Sequence, residues 1–236
     1  MLPPRAPLLT AGAAATLAWL ASARSLRQPA LRTAFSLLAA SHALDLGLFI
    51  RIAFIDGAAR LRWRKSATGV LEAQRVRYRC WPHEIDFNNH MSNANFLRVL
   101  NYARRSFWRE NGMWDHCLSR SPPLNMVVNA STIRYRREIS ALQPYEIVTS
   151  LVYWEGPCLY LEAKFVDAAT GFVLAISLVK YRLVGRRGCS PPSAAEVLAE
   201  HDPNSVGDGR APPEPPAELR AWMDYDRLSS AALRPS

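Results

Sequence analysis

A chain of 236 residues, 49% hydrophobic and 21% charged, is ordinary globular material with room for one domain and appendages, which excludes a disordered protein. Its formal charge of +9, from 29 Lys+Arg against 20 Asp+Glu, suits nucleic acid, an anionic membrane surface or a phosphorylated substrate without choosing among them. The cysteines Cys80, Cys117, Cys158 and Cys189 are scattered, with no CxxC pair and no histidine at zinc spacing, so they read as free thiols of a reducing compartment and no metal is expected.

Residues 6–23, APLLTAGAAATLAWLASA, are apolar, follow Arg5 and end in Ala-Ser-Ala, the outline of a signal peptide with a cleavage site. A second apolar stretch, 37–55, approaches the length of a bilayer span but contains His42, Asp45 and Arg51, which are expensive at mid-membrane. No acidic residue precedes Asp45, whereas Arg5, Arg24, Arg27 and Arg32 do, a pattern that also fits a mitochondrial presequence. The basic run RLRWRK at 60–65 suits an anionic leaflet on the cytosolic side. Residues 1–65 therefore read first as a membrane anchor and second as a cleaved leader, with two buried helices of a soluble domain as the remaining alternative.

Residues 66–185 read as one α+β domain. In 74–80, Val76, Tyr78 and Cys80 alternate with Arg75, Arg77 and Arg79, the pattern of a half-buried strand. After the polar run 84–95, apolar residues fall at Phe96, Leu97, Leu100, Ala103, Phe107 and Trp108, which predicts a helix starting at Ser92 and stopping near Gly112. A short second helix is expected over 113–120, ending at Pro122-Pro123. Then the period changes to two, with strands expected at 125–136, 145–154, 159–166 and 172–183, and the turns EGP and DAATG make the last three consecutive antiparallel hairpins. One long helix against a run of antiparallel strands describes a sheet packed on a single helix. Residues 186–236 read as a Pro-rich linker followed by a helix over 217–233, with Leu219, Trp222, Met223 and Leu228 on its apolar side.

Sequence motifs for a Ser nucleophile elbow, a P-loop, a zincin and a dinucleotide fold are absent. Arginines interleave with aromatics in RYRCW and IRYRRE, but a strand with one polar face looks the same, so no nucleic-acid partner is expected. The chemistry is concentrated in Asp86, His90, Ser92 and Asn93. A loop feeding a helix start offers unpaired backbone N–H groups and the positive end of a helix dipole, which polarise a carbonyl oxygen. A carboxylate just upstream then attacks an activated acyl carbon or orients a water that does. From spacing alone the other reading stands beside it, with Asp86 and Asn88 bracing the turn and Ser92 serving as N-cap.

The ordered residues Asp86, His90, Asn93, Ala94, Phe96, Leu97 and Arg98 resemble the D-x-x-x-H-x-x-N-A-x-Y/F-L-R pattern of hotdog-fold thioesterases of the 4-hydroxybenzoyl-CoA thioesterase type. A narrower resemblance, to a membrane-associated branch of that family, runs from about residue 37 to the C-terminus. It is carried by EIDFNNHMSNANFLR, RYRREISALQPYEIVTSLVYWEGPCLYLEAKFVD and PPAELRAWMDY. The resemblance implies an antiparallel sheet wrapped around a central helix, a homodimer with active sites at the subunit interface, and an acyl-CoA or similar thioester as substrate, without a cofactor. It further implies a membrane location, expected at the endoplasmic reticulum, the mitochondrion being the alternative that the Arg-bearing leader offers. The catalytic carboxylate falls on Asp86 and the motif histidine on His90, with Ser92 and Asn93 beside the substrate. Arg104 and Arg105 are guanidinium candidates for coenzyme A phosphates, or plain surface arginines. Two departures stand out: Glu84-Ile85-Asp86 where many relatives have two aspartates around one residue, and Asn89 where a glycine often precedes the histidine. Two functions are thus expected: a thioesterase of fatty or related acyl groups, and alternatively a non-catalytic membrane-associated hotdog module that binds acyl ligands or acts as a scaffold.

Overall fold

The computed structural model describes residues 29, 33, 34, 36, 37, 45–63, 69–185, 190–204, 206 and 212–233. The signal-like stretch 6–23 lies outside these residues, as does Cys189. The chain divides into two compact units, Met1–Ala53 and Phe54–Ser236. Helix α1 (Leu46–Trp63) crosses that division and no described helix is long and apolar enough to cross a membrane.

The second unit is built on a five-stranded antiparallel sheet of β1 (Gln74–Arg79), β2 (Asn125–Tyr135), β3 (Pro144–Glu155), β4 (Cys158–Asp167) and β5 (Val173–Val184), in spatial order β1-β3-β4-β5-β2. Local chemistry forces its hairpins. At the β3–β4 turn Gly156 has φ +49, a conformation without steric cost only for glycine. At the β4–β5 turn Asp167 Oδ1 accepts from the N–H groups of Ala169 and Thr170 at 2.9 and 2.7 Å, and Gly171 has φ +72.

Helix α2 (Asn93–Glu110) lies across one face of the sheet and buries Phe96, Val99, Leu100, Ala103 and Phe107. Phe96 meets Phe165 of β4 with ring centroids 5.1 Å apart, and Trp108 meets Tyr181 of β5 edge to face at 5.6 Å. Burying each such large side chain contributes about 1.5–3 kcal/mol. Helix α3 (Met113–Ser119) follows at once, its N-cap Gly112 held at φ +78.

The structure revises the reading of the C-terminal segment. A helix, α4 (Ala194–His201), lies within the stretch expected to be loop, and it buries Ala194, Val197 and Leu198 in the main core. Its start is a capping box in which Ser193 Oγ accepts from the Glu196 N–H and Glu196 accepts from the Ser193 N–H. The last helix, α5 (Ala217–Ala232), packs Leu219 and Met223 on Cys158, Tyr160 and Leu178, a cluster separate from the one beneath α2. Strand β4 is thus covered on both faces at Cys158–Leu161, which explains its uninterrupted apolar run. Leu228, expected on the apolar side of α5, is 73% exposed, because the helix docks through its first turns and a Lys180–Asp226 ion pair at 2.8 Å.

Cys80, Cys117 and Cys158 are free and buried. Burial, together with the nearby Glu84 charge, pushes the Cys80 thiol up to about 11, and burial alone does the same for Cys117, so neither is a nucleophile at neutral pH.

Candidate active site

Between β1 and α2 the chain makes a short 3-10 turn (Pro82–Glu84), a loop and the helix start. Each step is fixed by a named bond. Glu84 is buried, and its carboxylate accepts from the Trp81 N–H at 2.8 Å while its carbonyl accepts from the Ser92 N–H at 3.0 Å. Ile85 and Met91 bridge as an antiparallel pair, so residues 86–90 form the loop at the tip.

Within that loop Asp86 N–H donates to the His90 carbonyl at 2.9 Å, Asn89 N–H to the Asp86 carbonyl at 3.1 Å and Asn88 N–H to Asp86 Oδ1 at 2.8 Å. The tightness of this turn requires a left-handed residue, and Asn89 supplies it with φ +62. Asparagine tolerates that conformation better than other non-glycine residues, so the substitution at the usual glycine position keeps the turn intact. His90 lies with Nδ1 3.4 Å from the Met91 carbonyl and 3.8 Å from Asp86 Oδ1, the second distance being electrostatic contact rather than a hydrogen bond. The backbone of His90 also bridges to Ser140, and the Met91 N–H donates to the Ile139 carbonyl at 2.8 Å, which ties the loop to the chain leaving β2. Phe87 at the tip is 96% exposed.

Ser92 is the N-cap of α2, its Oγ accepting from the Asn95 N–H at 3.3 Å. Asn93 and Ala94 are exposed at the first two helical positions, where N–H groups have no intrahelical acceptor. Asn95 Nδ2 reaches back 2.8 Å to the Glu84 carbonyl, and Tyr135 Oη donates to the Asn93 carbonyl at 3.3 Å. Burial pushes the Tyr135 phenol up, so it remains a donor at neutral pH.

The structure brings together Asp86, His90, Ser92 and Asn93 and leaves Arg104 and Arg105 on later turns of α2. Arg104 is only 7% exposed, donates to Asn101 Oδ1 at 3.3 Å and lies 5.9 Å from the Tyr181 ring centroid. Arg105 grips Asp56 of α1 in parallel bonds of 2.8 and 2.6 Å, and Arg109 grips the same carboxylate with two bonds of 3.1 Å. Arg109 also reaches Asp115 of α3. Burial alone would raise the Asp56 carboxyl, but the hydrogen bonds and charges of Arg105 and Arg109 prevail and hold it below the usual carboxylate range. The Arg105 guanidinium is therefore committed to a carboxylate.

Sequence reasoning passes over Asn95, Tyr135 and Ser140, and reads Glu84 only as a departure from the motif. Asn95 alone had a local signal, standing three residues after the N-cap Ser92, where a side chain returns toward the preceding loop.

An antiparallel sheet packed on one long helix, with an aspartate and a histidine in the loop that starts that helix, defines the hotdog class of thioesterase-like proteins. The family model described as "Thioesterase-like superfamily" matches residues 80–223. The chain belongs to that superfamily. It is similar to Protein THEM6 of Drosophila melanogaster, 34% identical over 191 residues that cover 80% of this chain and 91% of the relative. Protein THEM6 of Danio rerio is 32% identical over 190 residues, covering 80% of this chain and 87% of the relative. Among solved structures, the hypothetical protein SAV2348 from Staphylococcus aureus in complex with CoA has a TM-score of 0.48 at 14% identity, over 65% of this chain and 96% of that one.

Proposed function

We propose that this protein hydrolyses a CoA thioester of a fatty or related acyl group at the loop that starts α2. One juxtaposition carries the reading: the Asp86 carboxylate stands 3.8 Å from the His90 ring at a helix start whose first N–H groups lack intrahelical acceptors. Membership of a thioesterase-like superfamily supports the same chemistry.

In the proposed reaction Asp86 takes a proton from a water whose oxygen attacks the thioester carbonyl carbon, or attacks that carbon itself to give an anhydride that water then opens. The carbonyl oxygen becomes an oxyanion and is held by the N–H groups of Asn93 and Ala94 and by the positive end of the α2 dipole. Collapse breaks the C–S bond, the thiolate of CoA leaves and takes up the proton, and the acyl group departs as a carboxylate. His90 holds the loop through the contact of its ring with the Met91 carbonyl.

The proposal includes a homodimer and a membrane location, at the endoplasmic reticulum or alternatively the mitochondrion. Strand β2 supports the first, since it is a sheet edge of 11 residues with Val127 and Val128 exposed, a template on which a second copy can pair. Helix α1 supports the second, since Phe54 and Leu61 are 75% and 74% exposed beside the basic run at 60–65.

The test is CoA release by the full-length protein from straight-chain acyl-CoAs of several lengths. Asp86→Asn preserves the acceptor that Asn88 N–H uses, so the turn survives while turnover drops by about 100-fold or more. Equal rates for parent and variant overturn the assignment of Asp86. A parent that binds acyl-CoA and releases no thiol belongs to the alternative, a non-catalytic acyl-binding module or scaffold.

A further inference from the structure

The candidate site lies beside three arginines that no part of the proposed reaction uses. Arg134, Arg136 and Arg137 are exposed at the end of β2 and just beyond it. Among the described residues none of them forms an ion pair with a carboxylate, although Glu138 is the next residue in the chain. Two of them are nevertheless held in place. The Arg136 guanidinium lies 4.8 Å and that of Arg137 4.0 Å from the Phe172 ring centroid, and Arg136 Nη1 donates to the Val173 carbonyl at 3.2 Å. An aromatic platform that pre-orients guanidinium groups and leaves their remaining N–H donors unused is a receptor for a multiply charged oxyanion.

The position of this patch ties it to the site. Tyr135, between Arg134 and Arg136, donates to the Asn93 carbonyl at 3.3 Å. Ser140 bridges to His90, and Arg137 is three residues away from it, at most about 10 Å of chain. Arg105 is committed to Asp56 and Arg104 is 7% exposed, so these two arginines of α2 are not the ones available to a ligand.

We infer that Arg134, Arg136 and Arg137, with Phe172 beneath two of them, form the surface that receives the phosphate groups of a nucleotide-bearing thioester while its acyl carbonyl occupies the loop of Asp86. This rests on the thioesterase reading above and extends it to substrate choice: the protein selects a CoA-carried acyl group over the same acyl group on a short neutral thiol, because fixed guanidinium groups bind phosphate bidentately.

The experiment compares the acyl-CoA that the full-length parent cleaves best with the N-acetylcysteamine thioester of the same acyl group, which lacks phosphate. In Arg136→Gln/Arg137→Gln the ratio of kcat/KM for the CoA ester to that for the N-acetylcysteamine ester falls by about tenfold or more at low salt. The difference between parent and variant shrinks as ionic strength rises. Calorimetric titration of CoA itself, which needs no turnover, shows the same weakening. An unchanged ratio with unchanged CoA affinity overturns the inference while leaving the thioesterase reading intact, as does an equal loss on both esters. A parent that neither cleaves acyl-CoA nor binds CoA overturns both.

Discussion

The side-chain amide of Asn95 donates to the carbonyl of Glu84 at 2.8 Å, joining the first turn of α2 to the 3-10 turn that precedes Asp86. The same carbonyl accepts from the Ser92 N–H at 3.0 Å, and the buried Glu84 carboxylate closes the turn from the other side through Trp81. The helix start and the loop at its tip therefore move as one body. That is what a site needs if helix N–H groups and a carboxylate are to meet at one carbonyl.

Asn95→Ala removes one of the two donors on that carbonyl and is expected to cost about 1 kcal/mol of stability. The larger effect falls on turnover, because the loop regains freedom relative to the helix. A lowered kcat with KM little changed, beside a small shift in the urea midpoint, is the expected pattern. A variant that loses stability and keeps kcat shows that the clamp serves folding alone.

Asn89 occupies the left-handed region at φ +62 between the proposed nucleophile and His90. Asn89→Gly fits the same turn and leaves stability within a few tenths of a kcal/mol, whereas Asn89→Val forces a β-branched residue into that region and costs about 1–2 kcal/mol. Chemical denaturation of the two variants measures the difference. Equal stabilities would show that the turn is redrawn rather than strained.

These two positions illustrate what is legible in the sequence and what is not. The alternation in β1, the hairpin turns and the N-cap Ser92 are local patterns, and local patterns survive in a linear string. The burial of Arg104 has no such trace, because arginines on a helix read as surface until the sheet beneath them is known. The Asp56 grip on Arg105 joins residues 49 apart, and nothing in either neighbourhood announces the partner. Helix α4 was obscured by the prolines around it, although Ser193 and Glu196 carry the spacing of a capping box. Motif order points to the loop of Asp86 and His90, while the bonds by which Glu84, Asn95 and Tyr135 brace it are visible only in three dimensions.

The exposed Phe54 and Leu61 of α1 bear on the membrane location. Phe54→Glu/Leu61→Glu alters solvent-facing side chains, so the fold is retained. If these residues enter the interface of a bilayer, co-sedimentation of the full-length variant with phosphatidylcholine/phosphatidylserine vesicles weakens about tenfold or more. Binding equal to that of the parent shows that this face does not meet lipid.

Asp56 sits between Arg105 and Arg109, and its folded-state acidity gives the pairing a pH signature. Because the carboxyl is held below the usual carboxylate range, the unfolded chain binds its proton more readily than the folded one. The stabilisation is then fully present above the unfolded carboxylate value of about 4 and is lost as pH falls through the folded one. Asp56→Asn removes the charge and is expected to cost about 2 kcal/mol at neutral pH, since hydrogen bonds to charged groups are lost and Arg109, almost fully buried, keeps only Asp115. Urea unfolding of parent and variant across the acid range checks this. The gap between them stays constant from neutral pH down to about pH 4 and then closes, whereas a gap independent of pH throughout assigns the effect to packing rather than to charge.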